Sequence, residues 1–206
     1  MPERQHGRPA PETHTTIRSE DWDSRDLSGE SHGQVAFIDV DMTEASGQGA
    51  AFSECTFRNV RFNASVHSDA AFANCTFIRC SFFDATFTGC KFVGSVFSDC
   101  TFNLLKVVGG DWSFVGLPGA DLRGASFSDV RMREADLTGA RFQGASLRQA
   151  DLSGAWFHGA DLSRCDLRGS ELSALDPSTV TLKGAVIDLQ QAAMLATALG
   201  LEVRAL

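Results

Sequence analysis

Large apolar side chains recur at every fifth position along most of this chain. From Trp22 to Ile187 that register contains 34 positions, and 30 of them are large and apolar. The exceptions are His32, Gly47, His67 and Pro177. Neither an α-helix, with a period of about 3.6, nor a strand, with a period of about two, produces this spacing, so the pattern predicts a repeat architecture.

A second inward-facing slot lies two residues before each apolar centre. It carries no charged residue at any of the 31 sites from Val35 to Ala185, whereas charged and hydroxyl side chains fill the positions between. All six cysteines occupy this slot, namely Cys55, Cys75, Cys80, Cys90, Cys100 and Cys165. We expect them to behave as small buried hydrophobes with reduced thiols, although stacked pairs would permit a disulfide. Their spacing argues against a zinc site.

The position two residues after each apolar centre predicts a turn. Gly, Asn or Asp fills 20 of the 32 such sites from Gly29 to Gly184, and these residues tolerate the backbone angles of tight turns. Four turns would close a square coil of four pentads. Coils stacked about 4.8 Å apart would then give a rod of about 40 Å.

Both ends of the chain depart from the repeat. Residues 1–19 combine prolines and mixed charge with few hydrophobes, which predicts a disordered tail before the repeat body of residues 20–187. Charged Glu20, Arg25 and Glu30 occupy the small inward slot, so the first coil is predicted to be irregular.

Two exceptions to the pattern lie further along the chain. We interpret His67 as a hydrogen-bonded core histidine. Pro177 cannot donate a ladder hydrogen bond, so it predicts a local turn or bulge near the last coil.

Residues 188–206 predict a short helix and an end cap. Asp188 with Gln191 resembles a capping box, apolar residues follow at helical spacing, and Gly200 is a plausible stop. A helix of this length needs packing to be stable. Its partner is either its own coil end or a second subunit, and the residues leave both open.

The net charge of −8 argues against nonspecific binding to nucleic acid or to an anionic membrane, and favours basic partners. Residues 20–54 contain nine acids and one base, Arg25. This acidic end is either a solvated cap or a contact for a basic surface. Its candidate binding residues are Asp39, Asp41 and Glu44.

A second group of carboxylates follows the expected coil length. Spacings of 20 and 40 residues place Asp111, Asp151 and Glu171 in one row, interrupted by Arg131, and Asp136 and Asp176 on the adjoining face. Intramolecular ion pairing is the alternative interpretation of these residues, and exposed pairs contribute under about 1 kcal/mol each.

The chain offers little for catalysis. It has no GxSxG, GxxxxGK, GxGxxG or HExxH motif, and a tightly packed solenoid leaves no obvious concave pocket. We expect a protein that is not an enzyme and has no cofactor. No apolar run approaches the roughly 18 residues that span a bilayer, and the N-terminus lacks the apolar centre of a secretory signal, so a cytoplasmic location is expected.

Individual pentads resemble those of a known family. AFANC, TFIRC, SFFDA, ADLRG, ADLTG and ADLSG resemble the A(D/N)LXX units of pentapeptide-repeat proteins, over about residues 22–187. FSEC at 52–55 and AFANCTF at 71–77 are similar to the MfpA-like, Qnr-type quinolone-resistance group. The resemblance implies an all-β, right-handed quadrilateral β-helix with a short C-terminal α-helix.

The resemblance also implies a function. Members of this group are DNA mimics that occupy the basic DNA-binding surface of DNA gyrase, a topoisomerase, and so inhibit it or protect it from fluoroquinolones. The carboxylates named above are then the gyrase-binding candidates. A structural or scaffolding solenoid with another protein partner is the alternative. The resemblance further implies a homodimer joined at the C-terminal ends, with interface candidates Ile187, Leu189, Ala192, Leu195, Leu199 and Leu201.

Overall fold

The computed structural model describes residues 9–204, which form a parallel β-helix followed by one short helix. Its backbone ladder joins each residue to the one 20 positions further on, as in the bridges from Asp111 to Arg131 and from Arg131 to Asp151. Each coil therefore contains four pentads. The predicted fold, an all-β quadrilateral β-helix with a C-terminal helix, is confirmed.

Short parallel strands line three of the four faces. In chain order they are β1 (Thr15–Arg18), β2 (Ser31–Gly33), β3 (Val35–Ile38), β4 (Ser46–Gln48), β5 (Ala51–Ser53), β6 (Thr56–Arg58), β7 (Val66–Ser68), β8 (Ala71–Ala73), β9 (Thr76–Ile78), β10 (Thr86–Thr88), β11 (Val96–Ser98), β12 (Lys106–Val108), β13 (Ser126–Ser128) and β14 (Ser146–Arg148).

The strands define names for the faces. The β1 face carries β1-β3-β6-β9-β11, the β4 face carries β4-β7-β10-β12-β13-β14, and the β2 face carries β2-β5-β8. On the fourth, the bridge face, isolated bridges run from Asp21 to Thr181 in steps of 20 residues, with a break between Thr101 and Asp121. The chain visits the bridge, β4, β2 and β1 faces in that order, so the β1 and β4 faces are opposite each other.

The corners between faces have a single backbone conformation. Every fifth residue from Ser19 to Gly169 has a positive φ, and the series resumes at Gly184. It is missing at positions 174 and 179, on either side of Pro177, where the amide of Thr179 donates to the carbonyl of Asp176. The predicted turn at Pro177 is therefore present.

The interior is a set of stacked side chains. Phe37, Phe57, Phe77 and Phe97 stack with ring centroids 4.8, 4.7 and 4.6 Å apart, and further columns of Phe run beside them. Beyond Trp112 the columns become mainly aliphatic, and nearly all of these side chains are fully buried. Burial of this apolar surface is the main favourable contribution to folding.

The N-terminal end is more ordered than the sequence predicted. Strand β1 pairs in parallel with β3 from Thr15↔Val35 to Arg18↔Ile38. The interpretation of residues 1–19 as a disordered tail is therefore wrong for this segment, because an extended stretch with one apolar side chain, Ile17, is enough to extend the ladder of β3. Residues 1–8 lie outside the described part of the chain.

The first coil is regular, which also corrects the prediction. The Arg25 guanidinium lies 4.1 Å from the centre of the Trp22 ring and donates to Glu30 at 3.0 Å, while Trp22 Nε1 donates to Glu20 at 2.7 Å. His32 Nε2 is 2.9 Å from the Glu30 carboxylate. At the end of the stack, the inward position two residues before each apolar centre borders solvent. Charged side chains can therefore occupy this position and cover the core.

His67 differs from its predicted role. The ring is fully buried, but neither ring nitrogen has a hydrogen-bond partner among residues 9–204. It stacks on Phe87 with centroids 5.3 Å apart, and Gly47 aligns with it on the other side in the ladder. The interpretation as a hydrogen-bonded histidine is therefore wrong. Burial lowers the pKa of His67 to about 4.

The C-terminal helix α1 spans Leu189–Ala198. Its predicted capping box is present, because the Asp188 carboxylate accepts from the Gln191 amide and the Gln191 side chain accepts from the Asp188 amide. Within residues 9–204, no helix has the length and apolar character that crossing a membrane requires.

Gly110→Ala should destabilise the coil strongly. Gly110 has φ +87°, and a Cβ there would lie 2.0 Å from the Cys90 carbonyl oxygen, so we expect a loss of about 3 kcal/mol or more. Gly124→Ala is the matched control, since it has φ +75° but open space, and should cost about 1 kcal/mol. Thermal and urea unfolding measure both. Equal stability of the two variants would contradict the packing argument.

His67→Phe should raise stability and reduce its pH dependence. The folded pKa of about 4 lies below the ordinary 6.5, so the unfolded chain takes up the proton first and stability falls as pH drops from about 6.5 to about 4. The free energy of unfolding of the variant, relative to that of wild type, should therefore rise by up to about 3 kcal/mol as the pH falls from about 6.5 to about 4. Comparing melting curves of the two proteins at each pH cancels the contribution of the carboxylates. A difference that is constant with pH would refute this.

Candidate partner-binding surfaces

The structure places Asp111, Asp151 and Glu171 in one row on the β2 face, as their spacing predicted. Bridges join Asp111 to Arg131, Arg131 to Asp151, and Asp151 to Glu171. Arg131 donates to Asp111 at 3.1 Å, and Arg133 donates to Asp151 at 2.6 Å. The internal ion pairing left open by the sequence is therefore present at two of the three carboxylates.

These contacts keep the aspartates ionised. Burial raises the pKa of Asp111, but hydrogen bonds from the Ser113 hydroxyl and amide and the ion pair with Arg131 outweigh it and hold the pKa below its usual range. Asp151 has the same arrangement of neighbours and the same direction of shift. Each carboxylate is charged at neutral pH, but a guanidinium offsets much of its field.

The N-terminal candidates also differ in whether an arginine of the chain pairs with them. Asp41 pairs with Arg61 one coil further on, and Asp39 lies 3.6 Å from Arg18. Glu44 is exposed at a corner, and no ion pair within residues 9–204 involves it. Of this group, Glu44 is the carboxylate most available to an external cation.

Asp136 and Asp176 share the β1 face with a residue that sequence reasoning missed. The ladder joins Gly116 to Asp136 and Asp136 to Trp156, and Asp176 follows at the same register where the ladder is interrupted. Asp136 accepts from the Thr138 amide at 3.1 Å. No lysine or arginine among residues 9–204 pairs with either aspartate. The sequence contains the information that places Trp156 in this row, because Trp156 is one coil length, 20 residues, from each aspartate.

The C-terminal helix packs on its own coil end. The Gln191 side-chain amide donates to the carbonyls of Leu167 and Ser170 at 2.6 and 2.8 Å, which are backbone acceptors of the last coils. Leu195 is buried against the same end. Within one chain, the helix is therefore an intramolecular cap.

The dimer-interface candidates divide according to this packing. Leu195 is buried, and Ile187 and Ala192 are half-buried. Leu189, Leu199 and Leu201 are 90%, 61% and 61% exposed. Only the last three are free to contact another molecule without moving the helix.

The cysteines occupy the wall of the interior. Five are buried and Cys100 is half-buried. The sulfurs of Cys55, Cys75, Cys80, Cys90 and Cys100 lie 3.4–3.6 Å from backbone carbonyls, as that of Cys90 does from the carbonyls of His67 and Thr88. Burial raises the pKa of Cys90 to about 11 and that of Cys165 to about 12. Among the described residues, no group of three or more His, Cys, Asp or Glu side chains could hold a metal ion.

Comparison with family models identifies the repeat. The model described as Pentapeptide repeats (8 copies) matches residues 117–154, 131–169 and 145–176. Residues 26–102 match the model described as the SV2A/B/C luminal domain. Among curated proteins the sequence finds no match.

Solved structures resemble the chain over nearly its whole length. A trypsin-treated form of QnrB1, a plasmid-mediated fluoroquinolone resistance protein, is 23% identical with a TM-score of 0.60, covering 94% of this chain and 99% of that chain. Full-length QnrB1 is 21% identical with a TM-score of 0.54, covering 92% and 99%.

The repeat, the ladder and these matches define the class: the chain is a β-helix of five-residue repeats, and residues 117–176 of it match the pentapeptide-repeat family model. Its β-helix is of the type seen in QnrB1.

Proposed function

We propose that this chain is a non-enzymatic DNA mimic that binds DNA gyrase, modulates or inhibits its activity, and can protect it from fluoroquinolones. The observation that carries the proposal is an acidic rod with the fold of QnrB1 over almost its full length, together with the Qnr-type pentads. A role on gyrase implies a cytoplasmic location, which is part of the proposal.

The net charge of the chain is too small to reproduce the phosphate charge of duplex DNA along its whole length. A 40 Å stretch of duplex DNA carries about 24 phosphate charges, whereas this chain has a net charge of −8. Arginines of the chain itself also pair with Asp41, Asp111 and Asp151. The proposal therefore assigns recognition to the shape of the rod and to carboxylates that pair with no lysine or arginine within residues 9–204, among them Glu44, Asp136 and Asp176.

A scaffolding solenoid that binds another protein is the second candidate. One fold serves unrelated roles, and a packed interior with exposed corners is compatible with both the gyrase-binding protein and the scaffold. A pull-down against each gyrase subunit separates the two candidates.

Purified protein should bind gyrase and alter its supercoiling of relaxed plasmid, with an effect that weakens as salt is added. Charges exposed to solvent are screened over about 10 Å at 0.1 M salt, so affinity should fall between 50 and 200 mM. A heat-unfolded sample is the control. Supercoiling that stays unchanged at every protein concentration, with no capture of either subunit, would reject the gyrase proposal in favour of the scaffold.

We further propose that two chains join at their C-terminal ends. Leu189, Leu199, Leu201 and Val203 are exposed apolar residues of the helix and the segment that follows it, at the C-terminal end of the rod. A twofold contact between such ends would cover the same residues on both chains.

Leu189→Glu combined with Leu199→Glu should convert a dimer into a monomer, because two carboxylates would be desolvated at the joined ends. Light scattering at micromolar concentration measures the mass. Leu104→Glu, at an exposed apolar corner far from the helix, is the control and should stay dimeric. A wild-type protein that is monomeric in this measurement would sink the dimer proposal.

A further inference from the structure

Four of the six cysteines form two stacked pairs in the wall of the β-helix. The pairs are Cys55 with Cys75, and Cys80 with Cys100. Because the members of each pair are 20 residues apart, the ladder makes them neighbours in adjacent coils. The isolated Cys90 and Cys165 have only Ala or Gly one coil away on either side. The chain thus contains two dithiols and two single thiols in the same kind of inward position.

The ladder fixes the Cys80–Cys100 pair on both sides. Ile78 pairs with Ser98 just before it, and just after it the Thr101 amide donates to the Cys80 carbonyl at 3.0 Å. A coil spacing of about 4.8 Å lies within the range of about 4.4–6.8 Å that disulfides require between Cα atoms. Both sulfurs lie 3.4–3.6 Å from carbonyls of the wall. A bond between them therefore needs side-chain rotation rather than a rearrangement of the coils.

A break in the ladder opens the wall beside Cys100. One coil later, the Arg141 amide donates to the Ala120 carbonyl at 2.9 Å. Among residues 9–204, the equivalent bond from the Asp121 amide to the Cys100 carbonyl is not formed, and the bridge-face ladder is interrupted at this point. Cys100 is half-buried, whereas the other five cysteines are buried. A small neutral molecule therefore reaches a thiol most readily here.

The two stacked pairs differ in ionisation and in access. A hydrogen bond with Cys75 lowers the pKa of Cys55 to about 7, but these two residues are 0% and 1% exposed. A hydrogen bond with Cys80, together with burial, raises the pKa of Cys100. Exchange of the shared proton lets either sulfur of this second pair carry the thiolate. Oxidation requires both a thiolate and access, so the pair that solvent reaches is the reactive one.

We propose that Cys80 and Cys100 are a redox-modification site, at which a hydroperoxide forms a disulfide between two coils. The Cys100 sulfur attacks one peroxide oxygen, the O–O bond breaks, and water or an alcohol leaves as Cys100 becomes a sulfenic acid. The Cys80 sulfur then attacks the Cys100 sulfur, the S–O bond breaks, and a water molecule leaves with the hydroxyl group and the Cys80 proton. The two thiols are oxidised by two electrons and the peroxide is reduced. A thiol reductant reverses the reaction by exchange.

The full chain, kept folded and treated with hydrogen peroxide, should lose the mass of two hydrogen atoms at this pair before any other cysteine reacts. Remaining thiols are alkylated after unfolding, and peptides cleaved between Cys80 and Cys90 are mapped by mass spectrometry. Dithiothreitol should restore both thiols. Cys90→Ala is the matched control, because it removes an isolated thiol and should leave the disulfide unchanged.

Two further variants test the assigned steps. Alanine fills the same inward position elsewhere, as at the buried Ala140, so Cys80→Ala and Cys100→Ala should both fold, which melting curves check. Neither variant should form the disulfide. In Cys80→Ala the Cys100 sulfenic acid has no neighbouring thiol to attack it, so a dimedone probe should label Cys100 several-fold more than in wild type.

Three results would overturn the proposal. The first is that Cys80 and Cys100 stay free thiols at peroxide concentrations that oxidise cysteine in solution. The second is a disulfide that forms sooner at Cys55 and Cys75, and the third is loss of the Cys90 thiol as fast as that of Cys100, since access would then not decide the reaction. The site does not rest on the gyrase proposal, and none of these measurements involves gyrase.

Discussion

The hydrogen-bond ladder between residues 20 positions apart is the constraint on which the rest of this structure depends. It requires every coil to have the same length, so that each side chain lies next to the side chain 20 positions away in the neighbouring coil. The Phe columns, the buried thiols and the recurrent left-handed corners all follow from this register. The corner series breaks around Pro177, close to the end of the stack, where a local turn disturbs few coils above it.

A ladder of this kind leaves an open core at each end, and the chain closes the two ends by different chemistry. At the N-terminus, Arg25 lies across Trp22 and is held by Glu30. At the C-terminus, Gln191 donates to two carbonyls of the last coils and fixes a helix over them. Both ends combine an apolar cover with polar groups that satisfy the backbone or face water, which limits edge-to-edge association.

The same register organises the surface charge. Because position n+20 is the spatial neighbour of position n, alternating acids and bases along a row neutralise each other, as Asp121 and Arg141 do. The net charge therefore understates how unevenly the rod is charged. Among residues 9–204, Glu44, Asp136 and Asp176 are carboxylates that pair with no lysine or arginine. The proposed mimicry of DNA accordingly depends on the rod's shape and a small number of carboxylates.

The sequence alone determined the repeat, the two inward slots, the position of the cysteines, the corners and the capping box at Asp188, because each of these depends on residues close together in the chain. It also placed Asp111, Asp151 and Glu171 in one row once the coil length was assumed. Only the tertiary structure decided that β1 joins the ladder, that Arg25 covers the first coil, that the helix caps its own chain, and that Trp156 follows Asp136 in the ladder of the β1 face. It also decided that His67 finds no hydrogen-bond partner among residues 9–204. Those features depend on which side chains meet across coils and at the ends of the stack, and a one-dimensional period does not specify the partners that each side chain finds there.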